Sequence, residues 1–305
     1  MARRALKQPR LCAAPEPVRA ALRAGTTVAY CYRVIRELSP GGMSQLYLVE
    51  HLPSGSYAAL KVAARAECEV LAREYALLQR VQHSNVVRAF EHGRLVDGRQ
   101  YLVLELLPGA DLAAWLSVYK QLAPGHALSV LWQLSAAVDH LHAQGVVHSD
   151  IKPANIMLNV HDERVTLIDF GVAFDLETER AQRGSSGTRG YMAPEQRRGQ
   201  GCGPATDRFA LAAVARELLG FKSSVAARAP RRVAGPVRAP RNALQSVFRR
   251  ALHPNPHARY ASARNFVSAV ARAMSASEAI ELPQPPQLQH VSRAASSGTT
   301  RASCR

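Results

Sequence analysis

Aromatic side chains make up only 6% of the 305 residues, and acids are outnumbered, 23 Asp and Glu standing against 39 Lys and Arg. No run approaches the roughly 18 consecutive apolar residues that a membrane-spanning helix needs, so no membrane span is expected. The five cysteines, Cys12, Cys31, Cys68, Cys202 and Cys304, form no Cys-x-x-Cys pair. That spacing offers neither a zinc site nor a disulfide framework, and it suits a reducing, cytoplasmic setting. The hydrophobic fraction of 47% overstates the core, because alanine supplies much of it.

The net charge of +16 raises a nucleic-acid reading, so the placement of the charge matters. Residues 1 to 24 hold six Lys or Arg against the single acid Glu16, and residues 220 to 250 hold eight with no acid. These two stretches carry 13 of the 16 charges, and neither interleaves aromatics able to stack on bases. A solvated basic leader and loop is favoured over nucleic acid, with attraction of acidic proteins or a membrane face in between.

What the chain does have is concentrated between His148 and Glu195. It reads His148-Ser149-Asp150-Ile151-Lys152-Pro153-Ala154-Asn155, then Asp169-Phe170-Gly171, Gly187-Thr188 and Ala193-Pro194-Glu195. Each piece alone is weak, and the bland reading is a polar loop between buried strands. The order and spacing together resemble the Ser/Thr protein kinases of eukaryotic type, with the bacterial cytosolic branch most similar, over roughly Tyr30 to Met274.

The resemblance implies an α+β fold of two lobes around one cleft, with a smaller β-rich lobe at about 30–107 and a larger helical lobe at about 108–274. Residues 1–29 are expected to be a basic disordered leader and 275–305 a disordered tail. The implied activity is ATP-dependent phosphorylation of serine or threonine on protein, autophosphorylation included, with Mg2+ and Mn2+ as an alternative metal. Oligomeric state is left open. Phosphoryl transfer leaves the protein chiefly the tasks of positioning and charge neutralisation. Asp150 matches the carboxylate that orients the hydroxyl and accepts its proton, and Lys152 matches the cation that steadies the moving group. Asn155 and Asp169 match the magnesium ligands, a hard cation favouring carboxylate, amide and phosphate oxygens. Thr188 resembles the residue tying Asp150 to Lys152, and lysine at 152 with threonine at 188 is the Ser/Thr pattern.

Upstream, strands are expected over Tyr32 to Leu38 and Gln45 to Glu50, joined by Ser39-Pro40-Gly41-Gly42-Met43-Ser44. In the family this turn is a glycine-rich flap over the phosphates; here Ser39 and Ser44 replace the outer glycines and Pro40 stiffens it. A third strand, Tyr57 to Ala63, carries Lys61, which is costly to bury in an apolar strand without partners and so is a candidate for the α- and β-phosphates. Glu67, Glu69 and Glu74 compete as its partner. Glu74 is favoured because Leu71, Leu77, Leu78 and Val81 give it a helical apolar face, although the connection from Lys61 is only 13 residues.

Strands are also expected over Val86 to His92 and Gln100 to Leu107, around the turn Val96-Asp97-Gly98-Arg99. The backbone near Glu105 and Leu107 would face adenine, with Leu104 behind it. Asp111 either reaches ribose hydroxyls or caps the helix that follows. A long helix over His126 to Gln144 precedes the catalytic loop. A hairpin formed by Met157-Leu158 and Val165 to Ile168 should leave Asp150 and Asp169 hanging from strands on either side of the cleft. Glu195 is expected to pair with Arg259, and Asp207, opening the helix 207 to 219, to hold the catalytic loop from below. Closing helices are expected over Asn242 to Leu252 and Ser262 to Met274.

Two departures from the family pattern stand out. Ser149 replaces the arginine that answers a phosphate on the activation segment, so phosphorylation at Thr178, Ser185 or Ser186 loses its receiver. Between Gly220 and Arg241, Pro230, Pro236 and Pro240 sit among arginines where the family has a docking helix.

Overall fold

The computed structural model describes residues 21–39, 44–65, 69–179, 187–221 and 241–275. The chain forms two compact units, an α+β arrangement in which the first is mainly sheet and the second mainly helix. Among the described residues, the first takes in residues 21–79 and Arg88–Leu106; the second takes in Arg80–Val87 and residues 107–275.

In the first unit, β1 (Thr27–Val28), β2 (Tyr32–Ser39), β3 (Ser44–His51), β4 (Ser56–Ala63), β5 (Ala89–Arg94) and β6 (Gln100–Glu105) make one antiparallel sheet in the order β1-β2-β3-β4-β6-β5. Alternation along the strands turns Val34, Tyr47, Val49, Leu60, Val62, Tyr101 and Val103 into one buried cluster. The helix α1 (Val70–Arg80) buries Leu71, Glu74, Leu77 and Leu78, a stripe at helical spacing on which Glu74 is the single charged member.

Two expectations are corrected here. The leader does not run to residue 29: the Gly25 N–H bonds the Val34 carbonyl, the Leu22 N–H bonds the Tyr47 hydroxyl, and β1 extends the sheet. Residues this short and polar carry no period of their own, so only pairing with β2 makes them a strand. Nor does a strand start at Val86. Val86 instead makes a parallel bridge to Leu167 within the second unit, the Leu167 N–H bonding the Asn85 carbonyl and the Val87 N–H the Leu167 carbonyl.

The second unit begins with β7 (Ala110–Asp111), α2 (Leu112–Tyr119) and α3 (Pro124–Ala143). Ala127, Leu128, Leu131, Leu134, Val138 and Leu141 on α3 are fully buried, each leucine contributing about 2 kcal/mol of apolar burial. Gly145, at φ +71°, ends this helix region and admits β8 (Val146–Val147). The short strands β9 (Ile156–Asn159) and β10 (Arg164–Leu167) form a hairpin to which β7 adds an edge; a side chain on Gly109 would strike the Leu158 carbonyl there. Next come β11 (Phe174–Asp175), which pairs with β8, and α4 (Leu176–Glu179).

The remaining helices are α5 (Pro194–Arg197), α6 (Pro204–Leu218), α7 (Arg241–Ala251) and α8 (Ala263–Ser275). The Asp139 carboxylate on α3 accepts the first N–H groups of α8, from Ala263 and Arg264 at 2.8 and 2.9 Å, which fixes α8 against the central helix. Among the described residues no helix is long and apolar enough to cross a membrane. The expected leader and tail, and the arginine-proline stretch between 222 and 240, lie mostly or wholly outside the described residues.

Candidate active site

The first unit holds a buried ion pair. Lys61, on the buried strand β4, sends its Nζ to both carboxylate oxygens of Glu74 at 2.9 and 2.8 Å. Glu74 is only 1% exposed, so the pair is a desolvated bond between strand and helix and not a surface contact. The competition among the acids is decided by packing: Glu69 bonds Arg94 and Gln100, and Glu67 lies outside the described residues. Ser39 ends β2 and Ser44 begins β3; Gly41, Gly42 and Met43 between them lie outside the described residues. Glu105 ends β6 and donates its N–H to the Arg88 carbonyl.

The second unit holds the candidate catalytic loop. Asp150 follows β8, and its Oδ1 accepts from the Thr188 N–H at 2.9 Å and the Thr188 hydroxyl at 3.0 Å. Lys152 Nζ lies 2.7 Å from Asp150 Oδ2 and donates to Thr188 Oγ1 at 2.9 Å. The Asn155 amide nitrogen donates to the Asp150 carbonyl and to Oδ2, at 2.9 and 3.1 Å. Lys152 and Thr188 thus close a ring with the Asp150 carboxylate, and Asn155 adds a further donor to it. Asp150 and Asp169 belong to the same unit, one following β8 and the other β10.

Asn155 also accepts the Ile168 N–H at its backbone carbonyl, at 2.9 Å, so the chain entering Asp169 is tied to the loop that carries Asn155. Asp169 adopts φ +62° and Ser149, just before Asp150, φ +67°. Left-handed backbone at two non-glycine residues costs of order 1–3 kcal/mol each and persists only where surroundings hold it.

Asp207 does much of that holding. Fully buried at the first turn of α6, it accepts the His148 and Ser149 N–H groups at 2.9 and 2.8 Å and His142 Nε2 at 2.9 Å. Burial alone would raise its pKa, but the bond from His142 and the nearby imidazoles hold it below the usual carboxylate range. His148 completes the frame, its Nδ1 receiving the Asp150 N–H at 3.3 Å and its Nε2 facing the Ile168 carbonyl at 3.1 Å, which selects the Nε2–H tautomer. The sequence reading assigned no role to His142 or His148; their signal was the two-residue spacing to Asp150 and the helical register of α3.

Further out, Arg259 grips Glu195 with two bonds of 2.6 and 2.7 Å. Asp111 spends one carboxylate oxygen on the Ala114 N–H at 2.8 Å and is therefore the N-cap of α2. Leu107 lies in the second unit. A cavity of about 440 Å³ adjoins the ring, with Lys152, Thr188, Pro153, Ala113, Leu116 and Glu217 among its lining residues.

Fit to a metal can be tested on donor chemistry. Both bonds of the Asn155 amide nitrogen run to Asp150, so the loop is held through that nitrogen, and Asp169 follows Ile168, whose N–H is tied to the Asn155 carbonyl. Among the described residues no cluster of three or more His, Cys, Asp or Glu is placed to hold a metal alone. An amide and a carboxylate, completed by phosphate and water oxygens, suit Mg2+, which binds few protein ligands.

A family model described as the protein kinase domain matches residues 32–271, and the chain belongs to that family. Similar proteins include the serine/threonine-protein kinase Pkn1 of Myxococcus xanthus, 35% identical over 268 residues, covering 80% of this chain and 38% of that protein. The serine/threonine-protein kinase PknH of Mycobacterium tuberculosis is 31% identical over 264 residues, covering 80% of this chain and 42% of its own length. The chain thus spans about two fifths of these relatives.

Proposed function

We propose that the chain transfers the γ-phosphoryl group of ATP to serine or threonine hydroxyls on protein, its own chain included. The ring of Asp150, Lys152 and Thr188, with Asn155 bonded to the same carboxylate, carries this reading. It leaves the Asp150 carboxylate oriented by bonds on both oxygens, ready to hold a hydroxyl and take its proton. Lys152, held between Asp150 and Thr188, brings a positive charge to the oxygens of the group in transit. Lys61, oriented by Glu74, would take the α- and β-phosphates, and the backbone around Ser39, Gly41, Gly42, Met43 and Ser44 would cover them. Glu105 and Leu107 would present backbone groups to adenine.

Bound Mg2+, with Mn2+ as a substitute, would neutralise the phosphate oxygens, and Asn155 and Asp169 are the residues that would hold it. The cap made by Asp111 favours a structural role there over contact with ribose. The cavity beside Lys152 and Thr188 supports a protein substrate, since its apolar wall and the Glu217 carboxylate suit a side chain flanking the acceptor. Dependence on ATP and the absence of paired cysteines support a cytoplasmic location.

A pseudokinase scaffold would have no need of a complete ring. Incubation with γ-labelled ATP and Mg2+, followed by phosphoamino-acid analysis, is expected to give phosphoserine or phosphothreonine. Folded protein that binds ATP and gives no label would establish the scaffold reading instead.

Control should also differ from a phosphate-switched kinase. Ser149 is 7% exposed and offers one neutral hydroxyl, so it cannot replace a bidentate guanidinium. Thr178 lies in α4, and Ser185 and Ser186 lie outside the described residues. Phosphatase-treated protein and the Thr178, Ser185, Ser186 triple alanine variant are both expected to keep wild-type initial rates. A fall of about tenfold, roughly 1.4 kcal/mol of barrier, in both preparations would contradict this.

A further inference from the structure

Ser149 leaves the loop without its usual charged anchor, yet its peptide is held in a left-handed conformation at φ +67°. Its N–H is accounted for by Asp207 at 2.8 Å. Its hydroxyl is buried and unpartnered, so the side chain itself does not hold the loop. The carbonyl is held by Gln196, whose Nε2 donates to it at 2.8 Å across 47 residues of sequence. Gln196 is 1% exposed and follows Glu195, which Arg259 clamps from below.

The Ser149–Asp150 peptide is planar, so gripping its two polar ends fixes its orientation. Gln196 holds the C=O end and His148 Nδ1 receives the N–H end at 3.3 Å. That plane sets where Cα of Asp150 lies. The fit is tight: a side chain on Gly187, at φ +138°, would come within 2.9 Å of Gln196 Nε2 and 3.2 Å of the Ser149 oxygen.

We propose that Gln196 is a positioning residue for phosphoryl transfer: its amide links the Ala193-Pro194-Glu195 anchor to the catalytic loop permanently, where an arginine and a phosphate would link them conditionally. The geometry at Asp150 is then held by a contact that needs neither a charge nor a particular side chain at position 149. This rests on the kinase reading, and the two fail separately: an inactive wild type sinks the kinase reading, whereas an active wild type with indifferent Gln196 variants sinks only this one.

The test compares Gln196→Met, which keeps length and removes the donor, with Gln196→Glu, which sets a carboxylate against the Ser149 carbonyl. Steady-state rates on a generic protein substrate should show kcat reduced about tenfold or more in the first and further in the second, with KM for ATP within about twofold, since misplacement near 1 Å costs up to about a hundredfold. Rates are taken well below the thermal midpoint of each variant. A kcat for Gln196→Met within about twofold of wild type would overturn the proposal. Should either variant fail to fold, wild-type protein still decides: after phosphatase treatment the Gln196 side-chain amide hydrogens should exchange with solvent far more slowly than those of exposed glutamines, and equally fast exchange overturns the link.

Discussion

Asp150→Ala is expected to lower single-turnover phosphoryl transfer by about a thousandfold, near 4 kcal/mol of barrier, while ATP affinity stays close to wild type. The carboxylate receives Lys152, Asn155 and both donors of Thr188, so its removal frees the cation and the hydroxyl of the ring at once. The fold should survive, because Asp207 holds the loop by the backbone of His148 and Ser149, which alanine at 150 leaves untouched. Lys61→Ala should act differently, weakening ATP binding as well as transfer and leaving Glu74 buried with one partner fewer. Rapid-quench rates, ATP titration and circular dichroism separate these effects. A wild-type rate in folded Asp150→Ala protein would remove the basis for the kinase reading.

The largest effect on stability is expected from Arg259→Ala. Arg259 and Glu195 are 4% and 8% exposed, and Arg259 also donates to the carbonyls of His253 and Ala205 and lies over the Phe209 ring at 4.9 Å. Removing one partner of a buried pair costs about 3–5 kcal/mol, because the other charge stays behind unpaired. In a chain of this size that corresponds to a thermal midpoint lower by roughly 10 °C. The acid side of the stability curve should shift as well. Burial pushes the Glu195 carboxyl up, but the bonds from Arg259 more than offset this and hold it below its usual range. A depressed carboxylate stabilises the fold at pH values above its unfolded pKa, near 4, and that contribution fades as pH falls through the lower folded value. Without Arg259, burial is left to penalise the ionised Glu195 carboxylate, and protonation relieves that penalty as pH falls. Denaturation series from pH 3 to 8 on both proteins should show the stability gap between wild type and variant widest near neutral pH and narrowing toward pH 3; a gap independent of pH would argue that the pair carries no charge-dependent stability. Asp207 contributes in the same acid range in both proteins, so the comparison isolates Glu195.

Legibility divided along the length scale of the interactions. Asp150, Lys152 and Asn155 sit within one short loop, so spacing alone announces a shared site, and the apolar faces of α1 and α3 follow from periodicity because burial of one stripe imposes it. Lys61 inside an apolar strand was conspicuous for the same reason: a charge there demands a partner.

Among three glutamates of equal chemistry the apolar periodicity already favoured Glu74, and the packing of α1 turns it inward while Glu69 meets Arg94. Tertiary structure alone made a strand of Thr27–Val28, which has no pattern until β2 lies beside it, and took Val86 out of the first unit to bridge Leu167. It also decided Asp111, where a carboxylate before a helix is chemically equal to either role until the Ala114 N–H is seen to reach it. Gln196 is the sharpest case. By itself the sequence determined that serine stands at position 149 where the family pattern has arginine, because a residue type is a local fact. That a neutral amide holds the Ser149 carbonyl is a contact between positions 47 apart, carried by a backbone group that every residue type possesses, and no sequence pattern distinguishes one carbonyl from another.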